Sequence, residues 1–278
     1  MHSSLPPFNN KIVRNSLKEN YELSLNISTL LCILIYCLYL NNLENIQNFI
    51  STFYTPTVYV VPCGETIALS LECEYENCNI INIGTLSFID TNTGKFASVG
   101  HSISHSHTPS IISQKSRIYS PVQLAITQDD SNFNTIIAKI DSNYIYGTTY
   151  KNSAFGVYGQ ISKEYIPNYS FSTPLEIASR YAIKHESAIL LSDIFGEVEE
   201  FKIEILHINI FQTNSYECML IQITDERLIN DSGGIVRGMS GCPIIQNNKI
   251  IGVLSSMLIK DTTKGYALFA DLMIKELY

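Results

Sequence analysis

A two-residue alternation of apolar and polar side chains governs most of this chain. Residues 201–209 alternate over most of their length, as do residues 219–223. That period matches the pleat of a strand, whose side chains point to opposite faces in turn. Residues 58–61 form an apolar run rich in β-branched residues. Pro62-Cys63-Gly64 punctuates it, and residues 66–71 alternate again. Residues 80–90 and 95–99 flank Thr91-Asn92-Thr93-Gly94, which has the composition of a hairpin turn. Further strands are expected over 118–127, 135–140, 144–149 and 155–161, and Asn247-Asn248 makes a turn before a strand over 249–254. Short helices are expected over 174–181, with Thr173 as cap and Pro174 in first position, and near the C-terminus within 268–278. Many short strands with few helices specify a mainly β domain, a barrel or sandwich.

The N-terminal region reads differently. Residues 23–43 carry no charge. As a helix such a segment spans roughly 30 Å, about the thickness of a bilayer's hydrocarbon core. Lys11, Arg14 and Lys18 precede it, and no further Lys or Arg occurs before Lys95. The positive-inside rule then puts the N-terminus in the cytoplasm and the remainder outside. No A-x-A-like cleavage site follows, so the segment reads as an uncleaved signal anchor. The expected organisation is a cytoplasmic segment over 1–22, a transmembrane helix over 23–43, a linker over 44–57 and a folded domain over 58–278.

A net charge of −8 argues against nucleic acid and anionic membrane surfaces as partners. The cysteines form no C-x-x-C pair, which argues against a zinc ribbon. Cys73 and Cys78 are near enough in sequence for a local disulfide. His101, His105 and His107 have no acidic or cysteine ligand beside them, so no metal and no cofactor is expected. His207 falls on the polar side of its strand, where a surface role is the default.

One stretch carries chemistry: Gly233-Gly234-Ile235-Val236-Arg237-Gly238-Met239-Ser240-Gly241-Cys242-Pro243. Glycines around a serine permit a crowded backbone turn. Such a turn can expose the hydroxyl and direct backbone N–H groups at one point, as an oxyanion hole requires. The plainer reading is a glycine-rich hairpin with an ordinary surface serine. A hydroxyl nucleophile also needs a base. His101 follows a hairpin and a glycine, far upstream of Ser240, an order that suits a two-barrel serine protease. Cys242 lies two positions from the serine and reads as a small buried thiol.

The residues that carry a family resemblance are Val58-Tyr59-Val60-Val61-Pro62-Cys63-Gly64-Glu65-Thr66-Ile67, then Ile83-Gly84-Thr85-Leu86-Ser87-Phe88 through Gly94-Lys95-Phe96 to Val99-Gly100-His101. Ile221-Gln222-Ile223-Thr224-Asp225, the serine stretch and Lys264-Gly265-Tyr266 follow in the same order. In these blocks the chain resembles the SpoIVB (stage IV sporulation protein B) family of membrane-anchored serine peptidases. The resemblance implies a trypsin-like double β-barrel. It implies Ser240 as nucleophile, His101 as general base and Asp225 as the functional aspartate, with Gly238, Met239 and Gly241 supporting the oxyanion loop. In trypsin-like proteases the acid normally lies between the His and the Ser. Asp225 therefore fits a supporting role as well as a triad role, and Asp141, Asp130 and Asp129 are alternatives for the carboxylate that orients His101. The PDZ domain usual in the family has no room here, since only residues 70–82 separate the first two blocks. Cys242 and Ser255-Ser256 also replace family residues. The implied activity is an endopeptidase that cleaves a membrane-associated regulatory protein during sporulation, between mother cell and forespore. A catalytically impaired regulatory or binding protein on the same scaffold is the alternative, and an envelope quality-control protease is a third option.

Overall fold

The computed structural model describes residues 57–72, 79–103, 116–169, 172–212 and 215–278. The expected cytoplasmic segment, transmembrane helix and most of the linker lie outside the described residues, as do Cys73, Cys78, His105 and His107. Among the described residues no helix is long and apolar enough to cross a membrane. Thr55–Tyr278 form one compact unit.

The first half of that unit holds β1 (Tyr59–Glu72), β2 (Asn79–Ile89), β3 (Lys95–Ser98), β4 (Arg117–Tyr119), β5 (Pro121–Gln128), β6 (Asn134–Ile140), β7 (Gly147–Ser153) and β8 (Gly156–Ile161). Six of them close a ring in the order β1-β2-β3-β8-β7-β4, with β4 returning to β1 through Ala68 opposite Tyr119. Val61, Ile67, Leu69, Leu86, Ile89, Phe96, Ile118, Val157 and Ile161 fill it. The strand expected over 118–127 is broken in two. Pro121 has no N–H to give a ladder, and beyond Ser120 the chain leaves the ring to form a separate hairpin of β5 and β6.

The second half holds β9 (Leu175–Ile177), β10 (Ser187–Ser192), β11 (Glu199–Ile208), β12 (Met219–Ile223), helix α1 (Glu226–Ser232), β13 (Pro243–Gln246), β14 (Lys249–Leu258), β15 (Asp261–Phe269) and helix α2 (Ala270–Leu277). A second six-stranded ring runs β10-β11-β12-β15-β14-β13 and closes where β13 pairs with β14. In β11 the alternation is realised directly: Phe201, Ile203 and Ile205 are buried while Lys202 and Glu204 face solvent. A bulge after Ile205 leaves His207 exposed, as its polar position implied.

The helix expected over 174–181 is corrected. Leu175–Ile177 is strand β9, followed by a single 3-10 turn at Arg180–Ala182. The Thr-Pro start is a weak local signal. It loses to ladder pairing on both sides, because β9 lies antiparallel to β1 and parallel to β14 and so joins the two rings. The C-terminal helix is present as α2. Helix α1 is an addition. Asp225 caps its start by accepting from the N–H groups of Arg227 and Leu228, and Gly233 ends it at φ 75°.

Behind the junction, Arg180 and Asp271 form a two-pronged ion pair at 2.8 and 2.7 Å, with both side chains only 1% exposed. The guanidinium also lies over the Phe269 ring, 5.1 Å from its centroid. Removing one partner strands the other charge in the core. Asp271→Ala should therefore cost about 3–5 kcal/mol of stability, read as a lower urea midpoint; an unchanged midpoint would refute this account of the pair.

Candidate active site

The loop before β13 is built on two consecutive turns. The Met239 N–H donates to the Val236 carbonyl at 3.1 Å, closing a four-residue turn with Arg237 and Gly238 at its centre. Gly238 has φ 106°, and a positive φ at that position is the mark of a type II turn. Next the Cys242 N–H donates to the Met239 carbonyl at 3.0 Å, and the Gly241 N–H reaches the Leu254 carbonyl of β14 at 2.7 Å. Ser240 sits at the bend. Among the described residues, neither the Gly238 nor the Ser240 N–H meets a hydrogen-bond acceptor. Met239 is fully buried, and its sulfur accepts from the Val236 N–H at 3.3 Å.

This loop belongs to the second ring, yet the first ring holds it. Thr85 of β2 donates its N–H to the Ser240 carbonyl at 2.8 Å and its hydroxyl to the Gly238 carbonyl at 3.1 Å. The approach is so close that a Cβ at Gly241 would stand 2.3 Å from the Thr85 oxygen and 2.5 Å from the Val99 nitrogen.

His101 arrives from the end of β3. The Gly100 N–H donates to the Ser98 carbonyl at 2.9 Å across Val99, whose φ is 72°. This is a γ-turn of the strained, positive-φ kind, and it is held by a β-branched residue. The Val99 N–H is fixed in turn by the Thr85 carbonyl at 3.1 Å. The imidazole Nδ1 lies 2.9 Å from the Ser102 carbonyl. A carbonyl only accepts, so Nδ1 carries the proton and Nε2 is left with its lone pair. Burial pushes the imidazole's pKa below its ordinary 6.5, against the opposing effect of the Ser102 hydrogen bond.

His101 and Ser240 line one pocket of about 260 Å³. Ile235, Val236, Leu254, Met257 and Ile259 give it apolar walls, and Arg237 stands among its lining. No hydrogen bond joins Ser240 Oγ to the imidazole. The hydroxyl donates instead to the Ser255 carbonyl at 3.2 Å. Ser255 is itself buried, its hydroxyl directed at the carbonyls of Tyr216 and Tyr266 at 2.8 and 2.9 Å. The Tyr216 ring is tilted against the imidazole, 6.4 Å between centroids.

Asp225 is not brought into this pocket. Its carboxylate accepts from the Arg227 and Leu228 N–H groups at 3.1 and 3.2 Å and from the Lys202 N–H at 3.4 Å. Asp129 faces Arg237 and the N–H groups of Ser131 and Phe133, Asp141 holds Asn143, and Asp130 is exposed. Among the described residues no carboxylate touches the imidazole. No group of residues suited to holding a metal ion occurs among them either. Cys242 is wholly buried against the Thr85 hydroxyl at 3.5 Å, and burial pushes its thiol up to about 12. A thiol so protonated is a poor nucleophile.

The profile of the SpoIVB peptidase S55 family matches residues 75–274. The chain belongs to this family. It is a serine endopeptidase, and its substrates are proteins or peptides. No curated protein is significantly similar to it in sequence. Among solved structures it is similar to the Rv3671c protease from M. tuberculosis in its active form, with 14% identity over 77% of this chain and 79% of the other and a TM-score of 0.38. It is also similar to the HtrA-type protease AlgW with tripeptide, with 11% identity over 77% of this chain and 59% of the other and a TM-score of 0.43.

In this SpoIVB peptidase, several parts of the site carry no signature of their own in the sequence. Thr85 lies within the Gly-Thr-Leu block but shows its role only through contacts far along the chain. The Ser102 and Ser255 carbonyls are backbone groups, which residue type does not report. Gly241→Ala provides a direct check on the clamp. Its Cβ meets backbone atoms on both sides, so the variant should lose more than about 2 kcal/mol of stability and nearly all peptidase activity. Native urea unfolding and casein hydrolysis in that variant would contradict the tight contact.

Proposed function

We propose that this chain is a membrane-anchored serine endopeptidase acting outside the cytoplasmic membrane, with Ser240 as nucleophile and His101 as general base. One observation carries the reading: His101, its Nδ1 proton engaged, shares a pocket with a serine flanked by two uncommitted backbone N–H groups. Rotation about χ1 of Ser240 exchanges its hydrogen bond to Ser255 for one to His101 Nε2. The hydroxyl oxygen attacks the peptide carbonyl as its proton passes to Nε2. The Gly238 and Ser240 N–H groups receive the developing oxyanion. The imidazolium then protonates the leaving amine, and water hydrolyses the acyl-enzyme with the same base. The Ser102 carbonyl holds the tautomer that a carboxylate holds in a Ser-His-Asp triad. Asp225 acts from a distance, capping the helix whose C-terminal glycine opens the serine loop. Two six-stranded rings, one supplying the histidine and the other the serine, fit the trypsin-like double-barrel plan.

The uncharged segment over 23–43 with basic residues before it supports the anchor and an extracytoplasmic domain. Family membership supports a role in sporulation signalling, by cleavage of a membrane-associated regulatory protein between mother cell and forespore. The bond from Ser240 to Ser255, with no carboxylate on the imidazole among the described residues, favours a second reading: an impaired peptidase that binds or regulates.

A fluorophosphonate probe separates the two. Labelling that vanishes in both Ser240→Ala and His101→Ala supports the peptidase; a native chain that resists the probe supports the impaired protein. General-base action needs neutral imidazole, and its depressed pKa keeps it neutral further into acid. The labelling rate should rise through an inflection below pH 6.5 and stay level through neutrality. An inflection above 7 would contradict that environment. Deleting residues 1–43 should move the protein from the membrane fraction to the soluble fraction; membrane retention after deletion would end the anchor assignment.

A further inference from the structure

The β5–β6 hairpin belongs to neither ring, yet it is fastened to the serine loop by backbone. Thr135 and Arg237 form a parallel bridge: the Arg237 N–H donates to the Asn134 carbonyl at 3.0 Å, and the Ile136 N–H donates to the Arg237 carbonyl at 2.8 Å. Side chains reinforce the seam. Asn134 Nδ2 donates to the Ser232 carbonyl at 2.8 Å, and the Ile136 side chain leaves no more than 3.0 Å for a Cβ on Gly238. The Arg237 guanidinium pairs with Asp129 and lies over the Phe133 ring, 4.8 Å from its centroid.

The Arg237–Gly238 unit is the central peptide of the type II turn before Ser240. Type I and type II turns differ by a flip of that one peptide. In a planar trans peptide the carbonyl and the N–H point in opposite directions. Whatever holds the Arg237 carbonyl therefore also sets where the Gly238 N–H points.

We propose that the β5–β6 hairpin is a positioning arm for the oxyanion donor: the Ile136 N–H, braced by the Asp129–Arg237 ion pair, locks the Arg237–Gly238 peptide in the orientation that turns the Gly238 N–H away from β6 and leaves it free for substrate. The arm rests on the assignment of Ser240 as nucleophile. Ile136 and Asp129 are positioning residues; neither touches the reacting atoms. The arm makes the quality of the oxyanion hole depend on a surface hairpin, whose Val122 and Ile137 side chains are exposed at 62% and 50%.

The test uses the full chain in detergent and the second-order rate of fluorophosphonate labelling, with melting temperature as a check on folding. Losing one oxyanion donor costs roughly a hundredfold to a thousandfold in rate. Ile136→Pro removes the holding N–H and should slow labelling by about a hundredfold. Asp129→Asn should slow it by about tenfold, with the melting temperature and the pH inflection unchanged, and Asp129→Glu should restore the rate. Native rates in Asp129→Asn and in a folded Ile136→Pro would overturn the arm. Should Ile136→Pro fail to fold, the comparison of Asn with Glu at position 129 decides. A loss near ten-thousandfold with a moved pH inflection in Asp129→Asn would make Asp129 the carboxylate that serves His101, and the arm would again be overturned. A native chain that does not label overturns the nucleophile and the arm together, whereas labelling that ignores both substitutions removes only the arm.

Discussion

Both halves of the candidate site hang from one peptide unit of β2 and its neighbour. Thr85 gives its N–H to the Ser240 carbonyl and takes the Val99 N–H at its own carbonyl. The first bond crosses between the rings; the second stays within the ring that delivers His101. Its hydroxyl adds a third bond, to Gly238. These bonds all end on backbone atoms. They tie the histidine turn to a serine loop that is also held to its own strand β14, where the Gly241 N–H meets the Leu254 carbonyl at 2.7 Å. Much of what is unusual nearby follows from that coupling. Gly241 cannot carry a side chain, and Val99 accepts a backbone conformation that a β-branched residue ordinarily avoids.

Strands were legible where burial was one-sided. In β11 the inward Phe201, Ile203 and Ile205 alternate with the outward Lys202 and Glu204, so the period itself reveals the pleat. Residues 174–181 misled because a Thr-Pro pair speaks for a helix locally, while the ladders to β1 and β14 that decide the matter come from distant segments. Helix α1 was hidden next to the glycine-rich stretch, although Asp225 and Gly233 bracket it as cap residues do. Asp225 could be picked out as functional by resemblance, but its spacing said nothing about direction: its oxygens face the helix start rather than the imidazole. The pairing of His101 with Ser240 in one pocket was readable as an order along the chain. The groups that tune them are main-chain carbonyls, to which composition is blind.

Charge is used sparingly around the pocket. The one fully buried ion pair among the described residues, Arg180 with Asp271, sits where α2 and the 3-10 turn meet, and carries desolvation costs that a looser junction would not repay. The Arg237 and Asp129 pair is partly exposed, so its own contribution to stability is small. Its interest lies in geometry. It orders a side chain whose backbone carbonyl and N–H are already committed to β6.

Burial of Cys242 has a consequence for its reactivity. Two residues from the candidate nucleophile lies a thiol that water cannot reach and whose proton burial retains. Cys63 and Cys218 are likewise free and buried. Peroxides and alkylating agents act on exposed thiolate. Among the described residues no cysteine presents one to them, so Cys63, Cys218 and Cys242 are sheltered from such reagents by burial alone.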